Sequence, residues 1–152
     1  VYTAVAFVPA VLFIFVQREH FLLPPDFGTL ALFMVSVALT ALLQFFISYT
    51  LALLAFWVLE ISTFIFIVFA FEYIAGGHLF PLDILPPVLA KVLSFTPFPY
   101  QLFFPVSIYL GRITGPALYQ GLLIQFLWVL AGFALARFAW HRGLRKYSAV
   151  GG

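Results

Sequence analysis

The sequence predicts an all-α integral membrane protein: four transmembrane helices, with a short proline-broken helical segment before the last one. Three observations predict it. No charged residue occurs between Asp26 and Glu60, nor between Arg112 and Arg137. Each of these runs exceeds the roughly 20 apolar residues a helix needs to cross about 30 Å of hydrocarbon. Only 8% of the 152 residues are charged, against 65% hydrophobic, and the mean hydropathy is +1.17. A soluble domain carries about 25% charged residues, so this chain lacks the polar cover that water demands.

The first apolar run, Val1–Gln17, reads as a span or the remainder of one. It has no basic segment before it and no small-residue cleavage pattern after it, so it is not a signal peptide. Arg18-Glu19-His20 and Pro24-Pro25-Asp26 then form a polar, helix-breaking connection. From Thr29 to Ala75 there is neither Gly nor Pro. One helix over that stretch would run roughly 70 Å, so the chain must turn back within it. A turn at Ser48-Tyr49-Thr50 would leave Glu60 near the centre of the next span, where a charged side chain costs about 2.5–3.5 kcal/mol. A turn over Trp57–Ser62 puts Glu60 at the interface and Trp57 in the aromatic belt. The second placement wins, giving spans over Phe27–Phe56 and Ile61–Ala75.

Gly76-Gly77 closes the third span, and Pro81, Pro86, Pro87, Pro97, Pro99, Pro105 and Pro116 cut the next forty residues. Pro86-Pro87 suit the first turn of a helix. Val88, Leu89, Val92 and Leu93 share one face of it, with Lys91 and Ser94 opposite, as in a short helix lying in the interface. A second piece, Tyr100–Leu110, is kinked or started at Pro105. Broken helices at membrane depth survive only under protein cover or along a wet cavity. The last span is Pro116–Trp140. It ends in a cluster, Arg137, Arg142, Arg145 and Lys146, that holds four of the seven basic residues. The positive-inside rule then places the C-terminus in the cytoplasm and Gly76–Gly115 outside. Because it abuts a span, this cluster is a topology signal and not a nucleic-acid patch.

Candidate chemistry is sparse. There is no glycine-rich phosphate loop followed by Lys-Ser/Thr, so nucleotide hydrolysis is not expected of this chain. Without cysteine, disulfides and thiolate metal sites are excluded. Glu72, His78 and Asp83 are the set from which a metal site or membrane-embedded enzyme would be built; the blander reading is that they meet headgroups and water. Glu60 and Glu72 are either a proton or cation relay or the two ends of the third span, and the second is favoured. Gly111 and Gly115 have GxxxG spacing but read as the loop before the last span. Ala131, Gly132 and Ala136 make a better small-residue packing face. Phe45-Phe46, Phe64, Phe66, Phe69 and Phe71 either line a hydrophobic path or face lipid and pack spans. No catalytic, cofactor or metal residue is assigned.

A resemblance lies from mid-chain to the end. Leu54-Ala55-Phe56-Trp57 is followed by a short turn, then by a span closing at Gly76-Gly77. Next come Phe80-Pro81-Leu82, Leu85-Pro86, Pro97-Phe98-Pro99-Tyr100, Pro105 and Gly111. A last span with Gln125 and Trp128 leads to Gly143-Leu144-Arg145-Lys146-Tyr147 and Gly151-Gly152. In order and spacing this resembles the permease subunits of type-2 ABC exporters, in particular a bacterial permease group within that superfamily.

The resemblance implies six spans, a cytoplasmic coupling helix between the second and third, and two re-entrant helices before the last. Residues 1–152 would then be one transmembrane permease domain, the last four spans, which fits a start at Val1 and not Met. It further implies a bacterial inner-membrane location, a second permease subunit (in a homo- or heterodimer), and a separate ABC ATPase subunit that binds ATP and Mg. Such a subunit contacts lipid, takes no nucleic acid, does no covalent chemistry and names no substrate. A non-transporting membrane scaffold or assembly protein is the alternative.

Overall fold

A computed structural model describes residues 2–16, 24 and 26–148. Its elements are α1 (Tyr2–Val16), α2 (Phe27–Leu53), α3 (Ser62–Ala75), α4 (Pro87–Ser94), α5 (Phe103–Tyr109) and α6 (Gly115–Ser148). Short 3₁₀ turns cover Leu54–Phe56, Leu82–Ile84 and Phe98–Tyr100. There is no strand among the described residues. The connection expected at Arg18-Glu19-His20 lies outside them.

Asp26 starts α2 as its N-cap, accepting from the Thr29 N–H (3.1 Å) and from the Thr29 hydroxyl. The hydroxyl bond, then the backbone one, holds its carboxyl below the ordinary aspartate value. At the other end the helix tightens into the Leu54–Phe56 turn, and the chain reverses over Trp57–Ile61. The Ser62 hydroxyl donates to the Glu60 carboxylate there. The turn is where the burial cost of Glu60 put it.

α3 and α5 end alike. After α3, the Gly77 N–H bonds the Ile74 carbonyl and the His78 N–H bonds that of Tyr73 (3.4 and 3.3 Å). After α5, Gly111 bonds Ile108 and Arg112 bonds Ser107, both at 2.9 Å. These are Schellman caps, and Gly77 and Gly111 supply the left-handed residue (φ 88° and 66°). The Gly111–Gly115 pair therefore belongs to a loop and the first residue of α6, as its sequence context indicated.

Two helices have the length and composition to cross a membrane, Phe27–Phe56 and Gly115–Lys146. α1 has 15 residues, with Pro9 inside, and α3 has 14. Both fall short of the roughly 20 residues a perpendicular crossing takes. Of the four expected spans, two are therefore present as full-length helices, and α1 and α3 are too short to count as crossings by length alone. The last helix also outruns its expected end at Trp140 and continues to Ser148, because Gly143 is seated against Phe56 instead of breaking the helix.

α2 and α6 form the backbone of the fold and run in the same direction. Passing along α2, Ser36 meets Gln125, Phe46 meets Gly132, and Phe56 meets Gly143. Two parallel helices joined through one chain need a returning limb, and α3 begins that return. The core is Leu43 of α2, Leu118 and Val129 of α6, and Tyr100, Phe104 and Ile108 between them. Elsewhere α2 and α6 expose apolar side chains, such as Met34, Phe45, Leu127 and Phe133. That pattern suits lipid as the surrounding solvent.

Candidate functional site

Within the uncharged runs, three polar residues recur every fourth position of α2: Ser36, Thr40 and Gln44. Spacing of four places them on one helical face. Gln125 of α6 is fully buried against that face. Its Oε1 accepts from the Ser36 hydroxyl (2.9 Å). Its Nε2 lies in donor range of the Ser36 carbonyl (3.0 Å), Thr40 Oγ1 (3.0 Å) and the Tyr100 carbonyl (2.9 Å). Two carbonyls on the nitrogen side fix which way the amide points, since a flip would set oxygen against oxygen. The Thr40 hydroxyl donates to the same Tyr100 carbonyl (3.1 Å).

One turn further along α2, Gln44 Oε1 accepts from Gln101 Nε2 (2.5 Å), and the Gln44 side chain lies beside Glu72 of α3. One polar patch therefore joins α2, α3, α6 and the bottom of the proline-broken segment. Its depth follows from the charges that bound each run. Halfway between Arg112 and Arg137 lies position 124 or 125, and halfway between Asp26 and Glu60 lies position 43. Gln125 and Gln44 sit at or next to these midpoints, so Tyr100-Gln101 packs against the middle of both long helices.

Its upper part is held differently. Arg112 pairs with Asp83 at 3.2 Å, with both side chains more than half exposed, a contact worth little in stability. Phe33 of α2 meets Tyr109 of α5 edge-on at 5.2 Å. Leu82, Asp83, Leu85, Ala90, Ser94, Pro99 and Phe103 line a cavity of about 220 Å³ beside α4 and α5. The apolar residues Val88, Leu89 and Val92 of α4 are exposed, and Leu93 is half-buried.

The residues singled out from sequence scatter. Asp83 turns to Arg112 and Glu72 to Gln44, while His78 stacks on Tyr73 at 4.9 Å. Among the described residues no three metal-ligating side chains converge. Glu60 stays at the α2–α3 turn. Glu72 is half-buried and lies beside Gln44 of α2. Of the small-residue set, Ala136 is buried and Gly132 lies so close to Phe46 that an added Cβ would come within 3.1 Å of Phe46 Cβ, but Ala131 is exposed. The rest of that face is Gly121, Ala139 and Gly143. Phe45, Phe64, Phe66, Phe69 and Phe71 are exposed, and Phe46 packs between helices.

A family model described as an ABC-2 family transporter protein matches residues 7–151. The chain belongs to that family. No curated protein and no solved structure was found to match. The ABC-2 chain is a membrane permease of an ABC transporter, a transport component and not generally a catalytic one.

Proposed function

We propose that this permease forms half of the membrane domain of an ATP-driven exporter, with the re-entrant segment Leu79–Leu110 as its outer gate. The observation that carries the proposal is the bonding of Tyr100-Gln101 to both α2 and α6 at mid-depth. A handful of hydrogen bonds, each worth about 1 kcal/mol, holds a segment in place yet lets it go. Binding of nucleotide to a partner is a perturbation large enough to shift such an equilibrium.

In this reading α1 and α3 complete four crossings, tilting or borrowing the re-entrant segment for the missing length. The Arg137–Lys146 cluster faces the cytoplasm of a bacterial cell. α2 and α3 border the path for an amphipathic solute, and a second permease subunit closes it. The Trp57–Ser62 turn meets a separate ABC ATPase, which binds ATP and Mg while this chain binds neither.

Co-purification with the ATPase subunit encoded beside it, followed by turnover measurements with and without the permease, tests the reading. A stable complex with altered ATPase turnover is expected. No complex and unchanged turnover would remove the exporter and leave the non-transporting scaffold.

A further inference from the structure

The patch around Gln44 has more acceptors than donors. The Gln101 amide nitrogen donates one hydrogen to Gln44, and the Gln44 side chain lies beside Glu72. Two buried oxygens then remain without a hydrogen-bond partner, Glu72 Oε2 and Gln101 Oε1. Gln101 as a whole is 8% exposed. The end of α3 packs on the segment that carries Gln101: the Phe103 N–H bonds the Gly76 carbonyl (3.2 Å) and Phe71 meets Phe98 edge-on at 5.4 Å, so both oxygens lie where an acceptor without a partner is costly. A bare carboxylate there costs more still.

What is missing is a single positive group. A protonated glutamate gains one O–H donor while keeping acceptor capacity, and one alkali-metal ion takes oxygen ligands of this kind. A divalent ion would leave one charge uncompensated against a single carboxylate. The groups around Glu72 add no other candidate. His78, which follows α3, is the ionisable residue that acts on it electrostatically, and its ring is engaged with Tyr73. The re-entrant segment brings the Tyr100 phenol and the Gln101 amide. α2 and α6 bring only the hydroxyl of Thr40 and the amides of Gln44 and Gln125.

We propose that Glu72 and Gln101 form a binding site for one monovalent cation, a proton or an alkali-metal ion, in the middle of the membrane. Occupancy ties α3 to the bottom of the re-entrant segment through the two oxygens. Loss of the cation leaves the two acceptors unpartnered and loosens that tie. The site therefore couples cation binding to the position of the segment. Nothing in this depends on an ATPase partner, so the two proposals fail separately.

Infrared difference spectroscopy of the full chain in lipid nanodiscs tests it. Spectra are taken from acid to alkaline pH in choline chloride, and again with sodium or potassium chloride. A protonated-acid carbonyl band that titrates and is lost in Glu72→Gln assigns a proton. A Glu72-dependent carboxylate difference spectrum on adding sodium or potassium assigns the metal ion. In Gln101→Leu, which keeps the carboxyl, a proton site shifts its band to the higher frequency of an acid with a free O–H. A metal site loses most of its salt-induced difference there. Spectra of Glu72→Gln and Gln101→Leu that match the parent protein under every condition would overturn the proposal.

Discussion

Gln125 has neighbours that leucine cannot satisfy. Its amide meets the Ser36 hydroxyl and carbonyl, the Thr40 hydroxyl and the Tyr100 carbonyl, and the side chain is fully buried. Gln125→Leu keeps the volume but strands the Ser36 hydroxyl and halves the donors reaching Tyr100. Leaving buried polar groups unsatisfied costs about 1–3 kcal/mol. Membrane interiors lie toward the lower end, because the unfolded state also finds partners there. The expected result is a lower unfolding midpoint in a mixed-micelle denaturation series, with helix content retained before the transition. Gln125→Glu should cost more, since a carboxylate in place of the amide turns its oxygen toward two carbonyls.

At the scale of elements, α6 approaches its neighbours closely because glycine lines the contact. A Cβ on Gly121 would lie 2.2 Å from Phe104 Cε2, and one on Gly143 would lie 2.3 Å from Phe56 Cδ2. Gly121→Ala should therefore destabilise by about 1–3 kcal/mol, the usual range for overpacking. Adding Phe104→Leu should restore part of that loss. The double-mutant cycle checks it: the pair must cost less than the sum of the singles. Additive costs would mean that Phe104 does not rest on Gly121.

Some of this organisation was legible in the sequence and some was not. The α2–α3 turn was readable, because burying Glu60 is costly and Trp57 prefers the interface. The start of α4 at Pro87 and of α6 beside Pro116 was readable from the geometry of proline in a first turn. Ser36, Thr40 and Gln44 were also in plain view, at fourth-residue spacing in an otherwise apolar run. The missing information was their partner: that stripe acquires meaning only when the α2–α6 register sets Gln125 against it. The depth of Tyr100-Gln101 was not readable, because it rests on a backbone carbonyl, and every residue type has one. The neighbour of Glu72 was not readable for the same reason, since Gln44 lies on another helix.

Taken whole, the molecule is a parallel pair of long helices, a returning limb and a proline-broken segment packed against both. Family membership makes this a permease. In the orientation we propose, the C-terminal cluster lies inside and the Asp83–Arg112 end of the segment lies outside. Because the chain has no cysteine, single cysteines report their compartment without background. Ser94, on α4, and Leu144, near the end of α6, are both exposed. Labelling Ser94→Cys and Leu144→Cys in intact cells with a membrane-impermeant maleimide is the most direct test of this layout. The account predicts that Ser94→Cys reacts from outside and that Leu144→Cys reacts only after the membrane is opened. Reaction of both from the same side would contradict it.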